Sequence, residues 1–335
     1  MRADLHGDWS DFSGQINATT AGSAADVRFD IDYGNPGLPS AALNLGPNVN
    51  AYWSGNLNSG NGSTMTIGEL TGSSSATLRG GSIGGRQLTY RIGGRGTDFT
   101  FAGAIGEQTA TMLTNLVKTG AGMWTLSGTL NLNGKTTVEA GTLRLTGNFT
   151  TPAANPLEIM DGAVLDLPGA TVNASIQIAD GATLTGAGTI NGSVTNDGAL
   201  GIGGGTLNIT GDFVNNGTAI FTGGAALQVG GTFTNNGFLD VMTGAQTLPA
   251  NFINNGIVLD RSLVKVAGIA RSGANFTVTI QGYAGHAYQL QRADTLAGPW
   301  TSIGASQPGA DSVLTFTDTG GATGAQRFYR IAVGP

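Results

Sequence analysis

The sequence predicts an all-β protein: a parallel β-helix, that is a β-solenoid of about 20 residues per coil, followed by a small antiparallel β-sandwich. Three observations carry this. A short strand ending in Asn-Asn-Gly or Asn-Asp-Gly returns every 19 or 20 residues, with its glycines at 198, 217, 237 and 256. Glycine supplies 57 of 335 residues, while charged residues make up only 11% and hydrophobic ones 40%. That mixture fits many tight turns between short buried strands; disorder calls for more charge and less hydrophobicity. After residue 260 the repeat stops, Lys and Arg return, and aromatic residues cluster.

Residues 1–115 are expected to form irregular N-terminal coils. Phe12-Ser13-Gly14, Trp53-Ser54-Gly55, Phe101-Ala102-Gly103 and Leu126-Ser127-Gly128 share a large-small-Gly pattern. Their uneven spacing reads as coils with insertions. No period of 3.6 lasts longer than a turn or two, so helix should be scarce.

Residues 116–260 are expected to be the regular solenoid. Gly141, Gly162 and Gly181 each open a Gly-small-x-apolar strand and extend the period backward from Gly198. One coil cannot bury its own apolar face, so stacked coils about 4.8 Å apart must pair strand on strand. Equivalent Phe213, Phe233 and Phe252 then stack inside, and Asn216, Asn236 and Asn255 form a hydrogen-bonded ladder. Asn and Gly are read as turn residues because both tolerate positive φ. About twelve coils would make a rod near 60 Å long.

The segment with Lys118, Gly120 and Gly122, continuing through Val138 and Gly141-Thr142-Leu143, resembles the autotransporter-associated β-strand repeat. That repeat belongs to the passenger regions of large bacterial surface proteins. The Lys-x-Gly-x-Gly and Val-x-x-Gly-Thr-Leu portions carry the likeness over about 30 residues. The resemblance implies a right-handed parallel β-helix and export. It departs from true autotransporters in that residues 261–335 hold too few long alternating strands for a membrane barrel. Residues 1–6 hold no apolar signal-peptide segment, so an exported protein beginning this way is expected to be a trimmed form. No apolar run reaches the roughly 18 residues of a membrane-spanning helix.

Residues 261–335 are expected to form the sandwich, with strands at 276–281, 287–292, 313–317 and 327–333. Tyr288, Trp300, Phe328 and Tyr329 are its expected core. This stretch resembles a terminal β-module of secreted planctomycete- and verrucomicrobium-type proteins.

Chemistry is sparse. The net charge is −6 and no cysteine is present, so thiolate metal sites and disulfides are excluded. Residues 145–260 contain no Lys or Arg and lack the basic footprint that nucleic acid requires. His6 and His286 are far apart in sequence, and neither has a ligand partner nearby. Gly80-Gly81-Ser82-Ile83-Gly84 has the G-x-S-x-G form, but a strand pattern follows where a nucleophile elbow needs a helix. Gly134-Lys135-Thr136 lacks the upstream glycine of a phosphate loop, since Thr129 stands there. Asp30 and Asp32 share a strand face, two carboxylates where calcium takes six to eight oxygens. A β-helix polysaccharide hydrolase or lyase needs clustered carboxylates or a base, whereas the acids of 145–260 fall mostly one per coil at turns.

The chain is therefore read as a non-enzymatic extracellular structural protein that needs no cofactor. It is expected to be secreted or surface-bound, and to form or join a fibre or matrix by head-to-tail self-association. The alternative is a glycan-binding adhesin passenger. Trp9, Trp53, Trp124 and Trp300 are the residues that could stack on sugars, and exposed aromatic rows would favour that reading.

Overall fold

The computed structural model describes residues 2–6, 8–20, 25–30, 37–53, 62–152, 154–244, 248–324 and 326–334. These are strands, turns and two 3-10 turns, Arg261–Leu263 and Gly321–Thr323, with no α-helix among them. The strands up to residue 259 stack in parallel, in register, on three faces of one solenoid. The first face is an 11-stranded sheet from Arg2–His6 to Ala226–Val229. The second and third faces join as a 21-stranded sheet, because Gly37–Leu45 and Ser63–Gly72 run through the corner between them. On the third face the rungs lie twelve deep, from Gln15–Ala18 to Ile257–Leu259.

Short strands suffice because each rung contributes only a few inward residues to a continuous column. On the first face the column runs Val27, Ala51, Leu78, Ile105, Leu130, Phe149, Val172 and Ile190. On the third face Phe99, Trp124, Leu143, Leu165, Leu184, Leu200, Ala219 and Leu239 follow one another. All but Phe99, Leu130 and Val27 are at most 2% exposed. At about 1.5–3 kcal/mol per fully buried large aliphatic or aromatic side chain, these columns hold the coils together. The regular spacing of polar outward residues adds rung-to-rung ion pairs, such as Lys135–Glu158 and Arg144–Asp166.

The early coils are longer than the later ones and uneven, with paired residues 24 to 29 positions apart from rung to rung. Within them Asn17, Asn44 and Thr71 are joined side chain to side chain at intervals of 27 residues. Asn50 and Thr77 repeat the same interval on the first face. The large-small-Gly pattern misled because its members sit on different faces. Phe101 and Leu126 are stacked on the third face, whereas Trp53 is on the first. Ser54 and Gly55 lie outside the described residues.

The C-terminal module has two small antiparallel sheets. Val266–Ser272, Asn275–Gly282 and Ser312–Asp318 form one. In the other, Ala287–Ala293 pairs with Phe328–Gly334, Thr301–Ser302 and Gln307–Pro308. Val266–Ser272 gives no alternation in sequence because nearly every one of its residues is exposed; the hairpin to Asn275–Gly282 fixes it as a strand.

The core of the module needs one correction. Tyr288 is fully buried and Tyr329 is partly buried against the same apolar cluster, but Trp300 and Phe328 are not part of it. Alternation along Phe328–Gly334 explains this. Tyr329, Ile331 and Val333 face the cluster, which turns Phe328 and Arg330 to the opposite side. There the Arg330 guanidinium lies 4.5 Å above the Trp300 ring. Beside the core, Asp318 is 2% exposed and accepts two hydrogen bonds from Arg292 and one from the Tyr329 hydroxyl. Burial and that carboxylate push the Tyr329 hydroxyl up to about 12.

The module docks on the end of the solenoid. Its cluster takes in Met242 and Leu259 from the last coils, with Phe238 packed alongside. One buried polar contact spans the junction: His286 Nε2 lies 2.8 Å from Asp240 Oδ2, while Asp240 Oδ1 accepts the Met242 N–H. His286→Ala would leave that carboxylate buried without its main partner, at a cost of about 3 kcal/mol. Hydrogen exchange should then show lost protection in Ala287–Ala293 and unchanged protection in the central coils. Unchanged exchange in both would mean that the pair does not hold the module.

Candidate functional site

The residues singled out by the repeat meet at the corner between the second and third faces. One inward column of the second face runs Met65, Tyr90, Leu116, Thr136, Leu157, Ile176, Val194, Phe213, Phe233, Phe252. Phe213 and Phe233 stack with centroids 4.8 Å apart and planes 21° apart; Phe233 and Phe252 keep 4.8 Å at 48°. Phe252 is only partly buried, since among the described residues no coil stacks beyond it.

The neighbouring column runs Ile67, Ile92, Lys118, Val138, Ile159, Ile178, Asn196, Asn215, Asn235, Asn254. Two ladders of asparagine therefore exist. Asn216, Asn236 and Asn255 form an exposed one, linked at 2.8 and 2.9 Å and continued by Asn216 onto Asp197 at 2.7 Å. The buried ladder is the first asparagine of each motif, which the sequence reading passed over. Asn196 donates to Asn215 at 2.7 Å, Asn215 to Asn235 at 2.7 Å, and Asn235 to Asn254 at 2.8 Å. Each also donates to a main-chain carbonyl just past the corner of the next coil: Thr218, Phe238 and Ile257 in turn. The signal was present in the sequence. With Phe213 inward, the two-residue period sends Asn215 inward as well.

Lys118 occupies the same column in an earlier coil. It is 1% exposed, and its ammonium donates to the carbonyls of Thr119, Gly120 and, one coil on, Ala140 at 2.8–2.9 Å. Burial pushes its pKa down to about 8, partly opposed by the Asp98 carboxylate. Lysine and asparagine thus do one job, donating to carbonyls that the corner turns inward.

The glycines at this corner fall into two kinds. Gly120 and Gly141 have positive φ, 71° and 64°, as do Gly162 and Gly181. At Gly122 the limit is space: a Cβ would stand 2.1 Å from the Thr97 carbonyl oxygen. Gly217, Gly237 and Gly256 are also glycine for closeness and not for positive φ. A Cβ on each would stand 2.1 Å from the carbonyl oxygen of the glycine one coil earlier. None of the Asn-Asn-Gly asparagines adopts positive φ, so the turn reading gives way to stacking contact.

Of the other candidates, Ser82 is exposed in a turn followed by the strand Gln87–Ile92, and Lys135 pairs with Glu158. Asp32 lies outside the described residues, as do the side chains of Asp30 and His6. No group of three or more His, Cys, Asp or Glu able to hold a metal occurs among the described residues. No helix among them is long and apolar enough to cross a membrane. Trp53 and Trp124 are buried, and Trp9 and Trp300 are partly buried.

Two outcomes follow. Asn235→Ala should destabilise the fold by about 3 kcal/mol, since it strands buried partners on both sides, whereas Asn236→Ala should cost under about 1 kcal/mol. Chemical denaturation of both variants checks this, and equal losses would show that the buried ladder is not special. For Lys118, the folded state sheds its proton near pH 8 while the unfolded chain keeps it to about 10.4. Over that window the unfolded state binds more protons, so this group makes stability rise with pH. Lys118→Met should remove that slope when unfolding free energies are compared from pH 7 to 10.5.

A search of curated proteins finds none that matches the chain. Residues 116–145, the coil that carries Lys118 and the glycines at 120, 122 and 141, match the family model of the passenger-associated-transport-repeat.

Proposed function

We propose that the chain is an extracellular structural protein, a passenger-type β-solenoid scaffold that assembles head to tail into, or forms part of, a surface fibre or matrix. The observation that carries this reading is the open tail of the stack. Among the described residues, Phe252–Asn254 and Ile257–Leu259 pair only with the coil before them. Ile253 and Ile257 are 49% and 61% exposed there. Asn254, lacking the next asparagine, turns its amide back to the Gly256 carbonyl. At the other end, Arg2–His6 and Gln15–Ala18 each pair with one strand only among the described residues. Unpaired strand edges at both ends are templates for another chain, and heterologous docking that does not close gives filaments. The match to a passenger repeat supports a secreted or surface location.

On this reading the protein is not an enzyme, takes no cofactor and has no nucleic-acid partner. Aromatic residues packed inside the coils, together with apolar residues exposed at one end, favour the scaffold over a sugar-stacking adhesin. Negative-stain electron microscopy across a concentration series tests it. Uniform filaments with an axial repeat near one subunit length are expected; short separate rods at every concentration would sink the assembly.

A further inference from the structure

We infer that a notch on the outer side of the first face binds a carboxylate-bearing sugar unit of an acidic polysaccharide. The notch has a volume of about 450 Å³, within the range of small-ligand sites, roughly 300–1,000 Å³. Its cause is a gap in the outward side chains. Arg79 stands on one rung and Asn131 two rungs on, while the rung between them offers only Ala104 and Gly106. Thr77, Glu107, Thr129 and Asn133 are among the other residues that line it.

The charges in the notch are unequal in availability. Glu107 is spent on the wall, accepting the N–H groups of Thr114 and Asn133 and the Thr114 hydroxyl. The Arg79 guanidinium has no hydrogen bond or ion pair among the described residues. Elsewhere in the solenoid Arg91 is engaged with Glu139, Arg95 with Glu69, Lys135 with Glu158, Arg144 with Asp166, and Lys118 with three carbonyls. A guanidinium held over a small-residue floor matches a carboxylate through two parallel N–H···O bonds. The Asn131 amide and Thr129 hydroxyl are then in place for ring hydroxyls, and the flat floor accepts the ring itself. The notch also precedes the cation-free stretch of 145–260, where an acidic polymer would meet only carboxylates. This site stands whether or not the chain assembles.

Isothermal titration of the full chain at low ionic strength, with the trisaccharides of galacturonate and of mannuronate and with neutral maltotriose, tests the assignment. Saturable one-to-one binding of at least one uronate is expected, with maltotriose at least tenfold weaker. Arg79→Gln should weaken uronate binding at least tenfold, and Ala104→Phe, which fills the notch and leaves the charge, should abolish it. Both positions face outward, and an unchanged thermal transition would show that each variant is folded. No uronate binding, equal binding of maltotriose, or undiminished binding by either folded variant would overturn the site.

Discussion

The solenoid depends on what happens to the peptide carbonyls at the corner between its second and third faces. Strand interiors satisfy their peptide groups on the coils above and below, but a corner turns some carbonyls toward the core. An unmet carbonyl there costs about 1–3 kcal/mol, and it would recur in every coil. Two solutions appear along one inward column. In the coil of the passenger-type repeat a single lysine reaches three carbonyls. In the later coils each asparagine reaches one carbonyl and the next asparagine, so the donors form a chain.

The two solutions constrain the neighbouring sequence differently. The asparagine chain needs identical residues on successive coils, which explains why Asn-Asn-Gly repeats so strictly while the earlier coils vary. It also leaves an imperfect start: Ile178 precedes Asn196 in the column, and the buried Oδ1 of Asn196 has no donor among the described residues. The lysine solution needs no partner of its own kind above or below. Its cost is a buried charge, visible in the lowered pKa. In both, glycine lets one corner sit against the carbonyl of the next, closer than any Cβ allows.

The C-terminal module closes part of the stack and leaves the rest open. Among the described residues the first face ends at Ala226–Val229, two rungs short of the others, and the module packs its cluster on Met242 and Leu259. The buried His286–Asp240 contact fixes the approach, because a carboxylate placed there must be met by one particular donor. The edge at Phe252–Asn254 receives no further strand among the described residues. The module and the open edge therefore divide one end between capping and availability.

Much of the fold was legible in the sequence. The Asn-Asn-Gly interval set the coil length after 190, the glycine content marked the corners, and the change of composition at 260 marked the module. Inward columns such as Phe213, Phe233 and Phe252 follow from period alone, because stacking in register needs only a constant repeat. What the sequence left undecided is anything set by the neighbouring coil. Which asparagine of a pair is buried, why Gly217 must be glycine when its φ is ordinary, and how coils of 27 residues stay in step with shorter ones depend on atoms 19 to 28 residues away. The notch at Arg79 is of the same kind, since a gap between side chains exists only once three rungs are stacked. Local pattern thus determined that the chain would coil, and where. The few ångströms between one coil and the next, which no single stretch of sequence contains, decided what each coil exposes.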